Sequence, residues 1–418
     1  MKDAPTARPE PTTTDAPDRF ADLEAILDAQ GPAPALDRLI ERLDADHDYR
    51  LLLDALLLKA RHELGLPLIQ VGKYADLPED RRTQFEDRYI EAIRRVGSRF
   101  LEAGDVPTAW AYYRAIGETG PVAAALETSQ APDDPEKLGP WIEIAFHQGA
   151  NPKRGFELIL EHYGACSAIT SLEQLGPIDP AVRSACVDRL IRHIHAQLAA
   201  NIRADVAQRG QPKSPENASI ANLIVGRDWL FSDESYHIDV SHLTSTVRSS
   251  LQVDDPDTLD MAIDLAEYGR RLSPRLQYDG GPPFEKTFED HYVYLRAIRG
   301  HDPDAAVAHF RAKLPTPEAD GGDLESTIPA QVLVNLLARL NRQDEAIDVA
   351  AEHLANVPDS MLACPPLAEL CQRSGRLDRL AAAARSMNHP VHFLAARIQS
   401  RNKPQDPTGV SNFRPVET

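Results

Sequence analysis

Residues 330–358, AQVLVNLLARLNRQDEAIDVAAEHLANVP, carry the pattern that decides the fold. Apolar residues recur at spacings of three and four on either side of Asn341, which predicts two helices with a turn between them. Ala346 and Ala350 stand one helical turn apart, and Pro358 follows eight residues later. A small side chain there lets two helices touch. A proline stops the second helix, because it lacks an amide proton and its ring clashes with the preceding turn. The same spacing recurs at Ala262, Ala266 and Pro274, and at Ala109, Tyr113 and Pro121. Three copies predict repeated helix pairs, each stacked on its neighbour.

Working outward, helical periodicity fills most of the chain. Leu23, Ile26 and Leu27 line one helix face, and Gly65 with Pro67 ends the helical run before them. The stretch PLIQVGKYADLP, with proline at both ends, reads as a loop ahead of a helix that starts near Arg81. Further pairs follow at 100–118, 138–164, 239–274, 284–313, 327–358 and 367–386, with Gly, Asp, Asn and Pro in the turns. No segment alternates apolar and polar residues with β-branched enrichment, so no sheet is expected. Gly280-Gly281-Pro282-Pro283 and Gly321-Gly322 are turn material. The expected organisation is a tail at 1–17, helical repeats at 18–165, an irregular helical insertion at 166–238, further repeats at 239–400 and a tail at 401–418. Both tails are proline-rich and lack an apolar face, so they are expected to be disordered.

The pairs resemble the tetratricopeptide repeat family over about 85–125 and 240–390. Ala346, Ala350 and Pro358 occupy that family's small-residue and terminal-proline positions, and Leu337 takes its aromatic position. The chain departs from the family in lacking the Trp-x-x-Leu-Gly opening and in its uneven repeat lengths. The resemblance implies an all-α fold, a right-handed α-solenoid whose concave face grips a peptide or a partner protein.

Composition narrows the function classes. The 418 residues carry 45 Lys and Arg against 64 Asp and Glu, a net charge of −19. Such a surface repels nucleic acid and anionic membrane, since affinity for both rests on Lys and Arg. Four cysteines, Cys166, Cys186, Cys364 and Cys371, form no CxxC pair and read as buried thiols. The N-terminus has no apolar core of the kind a secretory signal carries, and no apolar stretch reaches the ~18 residues of a membrane span. The expected location is the cytoplasm.

The segment 187–249 is where chemistry is most concentrated. His193, Gln197, Asn201 and Asp205 recur every four residues and form one polar stripe. Leu190, Ile194, Leu198, Ile202 and Val206 form the apolar stripe beside it. His195 points roughly 200° away from His193, so the two cannot share a metal on a regular helix. His193, Gln197 and Asn201, with Trp229 and Tyr236, are candidates for a ligand groove. His237, Asp239 and His242 offer imidazole and carboxylate ligands suited to zinc or another divalent ion. The plain alternative for Asp239 is a helix N-cap. His162 and His291 are supplementary ligand candidates. His162 and Cys166, four apart, form a candidate nucleophile pair unless Gly164 breaks their helix. Glu285 and Glu289 share a face ahead of Asp290 and His291, and a solvated first helical turn is the plain reading.

Neither a GxGxxG nor a GxxxxGK[ST] phosphate loop occurs, nor a GxSxG elbow. Trp110 and Trp141 read as core residues. Two functions remain. One is a scaffold that binds a protein or peptide, or a small ligand, in its groove. The other is a divalent-metal-dependent enzyme of hydrolase or lyase type, with a His/Asp site built on the helical array.

Overall fold

The computed structural model describes residues 19–69, 79–174, 176, 179–212, 215, 218–315 and 324–402. The expectations for 1–17, for most of PLIQVGKYADLP, for Gly321-Gly322 and for 403–418 lie outside these residues. Among the described residues the chain is helical throughout. Its only β feature is an isolated antiparallel bridge between Asp279 and Lys286. No helix among them is long and apolar enough to cross a membrane.

The chain divides into two compact units, Met1–His162 and Tyr163–Thr418. The first begins with α1 (Arg19–Gln30), α2 (Pro32–Ala45), α3 (Tyr49–Glu63), α4 (Glu79–Glu102), α5 (Val106–Ala115) and α6 (Gly120–Thr128). Each packs on the helix that follows it. Then come α7 (Pro135–Ile142), a π-helical turn at Glu143–His147, and α8 (Pro152–Gln174), whose residues from Tyr163 on belong to the second unit. α8 is broken at Gly164, where φ is 78°, a left-handed backbone that glycine adopts without steric cost. Val106, Ala109, Trp110 and Tyr113 of α5 share a core cluster with Val122, Leu126 and Trp141.

The second unit is organised by α9 (Pro180–Gln208), whose 29 residues make the longest helix described. α10 (Ile220–Ile224), α11 (Val240–Ser249) and α12 (Pro256–Arg271) all pack against it. Its stripe of Leu190, Ile194, Leu198, Ile202 and Val206 is buried, as the spacing requires. Beyond α12 the packing runs from neighbour to neighbour through α13 (Thr287–Ile298), α14 (Pro303–Arg311), α15 (Ile328–Arg339), α16 (Gln343–His353), α17 (Leu367–Ser374), α18 (Leu377–Ser386) and α19 (Pro390–Asn402). α19 lies past the last helix pair expected from the sequence. It also takes up Arg401, which composition alone placed in a tail.

Local chemistry explains where the helices begin. Asp48, Asp105, Asp134, Asp179, Asp239 and Asp255 each accept a backbone amide of the first turn as an N-cap, and proline opens α5, α7, α9 and α12. Each such cap stabilises its helix by about 1 kcal/mol. The helix seams explain how they pack. Ala109, Ala262, Ala266 and Ala346 are fully buried, and Ala350 is nearly so. At Gly269 the approach is closer still, for a methyl group there would run into the Phe288 ring across the α12–α13 seam.

These seams have no room for a larger side chain. Ala346→Leu is expected to overpack the α15–α16 contact and cost about 1–3 kcal/mol. Gly269→Ala gains up to about 1 kcal/mol of intrinsic helix propensity, yet the clash with Phe288 should leave it destabilised overall. Urea denaturation measures both, and an unchanged midpoint for Ala346→Leu would show that this seam has slack.

Candidate functional site

The predicted polar stripe of α9 and the segment 229–239 do meet, but by gripping each other. Asn201 Nδ2 donates to the His237 carbonyl at 2.7 Å. His237 Nε2 lies 3.2 Å from Asp205 Oδ2, and Nδ1 lies 3.0 Å from the Tyr268 hydroxyl. That hydroxyl also accepts the His237 backbone amide at 2.9 Å. All these contacts are satisfied together when Tyr268 donates to Nδ1 and the proton on Nε2 goes to Asp205. Burial works against the charged form of Asp205, but the bonds from Arg209 and His237 outweigh it and hold the carboxyl below its usual range. Burial pushes the Tyr268 hydroxyl well above the usual phenol range. Arg209 in turn covers the Trp229 ring at 4.5 Å. Both ring nitrogens of His237 are therefore engaged.

Asp239 serves as the N-cap of α11. Its carboxylate accepts the amides of Ser241 at 2.8 Å and His242 at 3.2 Å, and the Ser241 hydroxyl bond leads the interactions that keep it ionised below the usual range. His242, one turn into α11, is half-buried. His193 is half-buried, while Gln197 and Tyr236 are exposed. Among the described residues no group of three or more His, Cys, Asp or Glu side chains is placed to hold a metal ion. His195, on the other side of α9, faces Asp264 of α12 at 3.2 Å. Asp264 also accepts the first amides of α10, from Ile220 at 2.7 Å and Ala221 at 3.3 Å.

Two sequence expectations change here. Gly164 breaks the helix between His162 and Cys166, so the pair does not share one regular helix. Cys166 is exposed, while Cys186, Cys364 and Cys371 are buried. The thiols of Cys364 and Cys371 are pushed up by burial, Cys364 to about 12 and Cys371 to about 11, which makes them poor nucleophiles.

The most developed polar cluster is one that sequence reading did not assemble. Asp290, expected in a solvated first turn, is 1% exposed. Its Oδ1 lies 2.7 Å from His309 Nε2 and 2.7 Å from Lys313 Nζ, and its Oδ2 accepts the Lys286 amide at 2.9 Å. Lys313 also donates to Glu285 at 2.7 Å and to the Pro283 carbonyl at 2.6 Å. Burial alone would favour the neutral amine, but its two carboxylate partners reverse that and raise Lys313 above the usual lysine value. The bond from Lys313 holds Glu285 below the usual carboxylate range. His291, next to Asp290, points inward. It donates Nδ1–H to the Thr287 carbonyl at 2.6 Å, with the Phe284 ring 4.2 Å away.

His309 carries this cluster to the surface. Its ring is held by buried Asp290, yet about a third of the side chain is exposed, on the wall of a cavity of about 340 Å³. Tyr292, Arg296, His301 and Asp302 line the same cavity. Arg270 lies 4.2 Å from the centre of the Tyr292 ring and Arg296 lies 5.4 Å from it. Arg296 also donates to the Tyr292 hydroxyl at 2.9 Å and pairs with Asp302 at 3.2 Å. Arg270 is fixed by Glu289 at 2.5 Å and Glu267 at 2.6 Å. The walls thus combine an aromatic ring, the Arg296 guanidinium, the carboxylates of Glu289 and Asp302, and an imidazole oriented by buried Asp290; Arg270 packs against the Tyr292 ring without lining the cavity. The arrangement offers hydrogen-bonding and aromatic groups to a ligand.

No family model matches the chain, and no curated protein and no solved structure matches it.

Burial lowers His291 from the ordinary 6.5 to about 4. The bond to the Thr287 carbonyl and the nearby Asp290 charge oppose this, and Arg248 adds to it. A histidine kept neutral when folded leaves the unfolded chain binding the extra proton, so its contribution is complete above pH 6.5. It is then lost as pH falls towards 4, by up to about 3 kcal/mol. His291→Gln is expected to flatten the loss of unfolding free energy between pH 7 and 4.5 by a comparable amount. Urea titrations of both proteins at the two pH values measure this, and parallel losses would show that His291 does not titrate on unfolding.

Proposed function

We propose that this chain is a non-enzymatic helical scaffold built from tetratricopeptide-like pairs, and that it grips an extended segment of a partner protein. The observation that carries the reading is the cavity on α13 and α14, where Tyr292, Arg296 and His309 present an aromatic face and hydrogen-bonding groups on rigid helices. Tyr292 and Arg296 are half-buried, and aromatic and arginine side chains held on a fixed frame are the groups that dominate protein interfaces. The fixing is local, since Glu267 and Glu289 hold Arg270, and Asp290 holds His309. A preorganised wall loses little side-chain entropy on binding.

Support for the repeat reading comes from packing order. From α1 to α6 in the first unit, and from α12 to α19 in the second, every helix packs on its sequence neighbour. The three small-residue copies that defined the repeat are buried at these seams. Such arrays hold extended peptides because their surface is long and each unit adds a few contacts.

The test is a displayed library of unstructured peptides selected on the purified chain. Enriched peptides should bind wild type and lose at least about tenfold in affinity to Tyr292→Ala or Arg296→Ala, with circular dichroism unchanged. If no sequence is enriched, or if the enriched ones bind both variants as well as wild type, the groove is not the gripping surface.

A further inference from the structure

α19 carries a surface that nothing among the described residues covers. Val391, Leu394 and Ile398 of α19 are 69%, 58% and 50% exposed. Their spacing of three and four, with exposed Ala395 among them, aligns them as one apolar stripe. Phe393 and Ala396, on the opposite side, already pack into the second unit. α19 is therefore apolar on both faces.

Charge says what covers the stripe. Between Leu367 and Asn402 six arginines stand against two acids, in a chain whose net charge is −19. Arg376 and Arg379 are tied to Asp344 and Asp348 of α16, and Arg373 to Glu369. Arg385 lies over the Phe393 ring at 4.9 Å. Arg397 and Arg401 are exposed and make no ion pair among the described residues. Four residues apart, they border one edge of the stripe. At its N-terminal end, α19 also borders a cavity of about 540 Å³ through His392, and His389 just ahead of the helix lines it too. That cavity is lined largely by apolar residues, including Leu354, Val357 and Leu380.

We infer that α19 docks an acidic amphipathic helix of another protein, whose apolar face lies along Val391, Leu394 and Ile398 and whose carboxylates meet Arg397 and Arg401. This is the helix-against-helix mode of recognition, with anchors at intervals of three and four. α19 of a second copy does not fit, because that helix has no acid to meet Arg397 and Arg401. An anionic membrane fits poorly, since a lipid surface faces the whole chain and its net charge of −19, whereas a peptide senses only charges within a Debye length of about 8–10 Å. This surface is separate from the α13–α14 cavity and stands whether or not that cavity grips a peptide.

The experiment is a selection of helix-forming amphipathic peptides, with flanking positions free to be Glu, Lys or Gln, on the full chain. Enriched sequences should be Glu-rich and should lose at least tenfold in affinity to Leu394→Glu. The double variant Arg397→Glu, Arg401→Glu should reverse the preference toward Lys-flanked sequences, while Tyr292→Ala should leave it unchanged. Leu394 is exposed, so Leu394→Glu should keep its helix content. If circular dichroism shows that it does not, Ile398→Gln makes the same measurement. Neutral or Lys-rich sequences, no enrichment, or affinity indifferent to these variants would overturn the proposal. So would a wild-type dimer that Leu394→Glu dissociates, which assigns the stripe to a second copy. Sedimentation with anionic vesicles that Leu394→Glu abolishes would assign it to a membrane.

Discussion

The structure depends on how closely neighbouring helices approach. With alanine or glycine at the crossing, the backbones come near enough for large side chains on the partner to reach past the seam. Phe288 lies against Gly269, Tyr113 against Gly97 and Phe146 against Gly155. Each is a small residue exchanged for the body of an aromatic one. The buried area that results is what stabilises short helices, since isolated helices of 8–12 residues are marginal in water. The prolines and aspartates at the helix starts only set boundaries. The seams decide which helix packs on which.

This division explains what could be read from the sequence. Helix faces were legible because one period governs them. The stripe from Leu190 to Val206 is buried as its spacing required, and the alanines of all three repeat copies lie in seams. The N-cap reading of Asp239 was legible for the same local reason, since a cap involves only the next few residues. The polar clusters were not legible. His309 and Asp290 are 19 residues apart, His237 and Asp205 are 32 apart, and His195 and Asp264 are 69 apart. Each joins two segments distant in sequence, helix to helix or, for His237, helix to the stretch ahead of α11, and no local pattern encodes their relative placement. Asp290 shows the consequence. A first-turn aspartate is solvated by default, and only the arrival of α14 converts it into the buried centre of a cluster.

The polar clusters also divide the second unit into two kinds of packing. Beyond α13 the seams are almost wholly apolar, with Leu333, Val334, Leu336, Leu337 and Ile347 filling the core. Around α9 three helices meet one, and polar pairs join them. Arg192 bonds Asp255 at 2.9 Å and Thr258 at 2.7 Å, His195 meets Asp264, and Asp205 meets His237. A long uniform stripe of leucine and isoleucine does not by itself distinguish one register from the next, because a shift by one helical turn of about 5.4 Å presents a similar apolar surface. A buried carboxylate does distinguish them.

The energetics make the distinction sharp. A satisfied buried polar pair contributes little net stability, since desolvation offsets most of the attraction. An unsatisfied one costs about 1–3 kcal/mol, and more when charged. Slipping α12 along α9 by one turn would strand Asp264 away from His195 and from the two amides of α10 at once. The penalty falls on the wrong register and hardly touches the right one. Where sequence-adjacent helices are joined by short turns, as at Asn341 between α15 and α16, the connection already fixes the register and apolar seams suffice. Where the chain leaves α9 and returns to it through α10, α11 and α12, the connections are long and the polar pairs supply the missing constraint. Of the residues that make this region look like a metal centre in the sequence, His237 is engaged by this packing through Asp205 and Tyr268, and Asp239 by the cap it forms on α11.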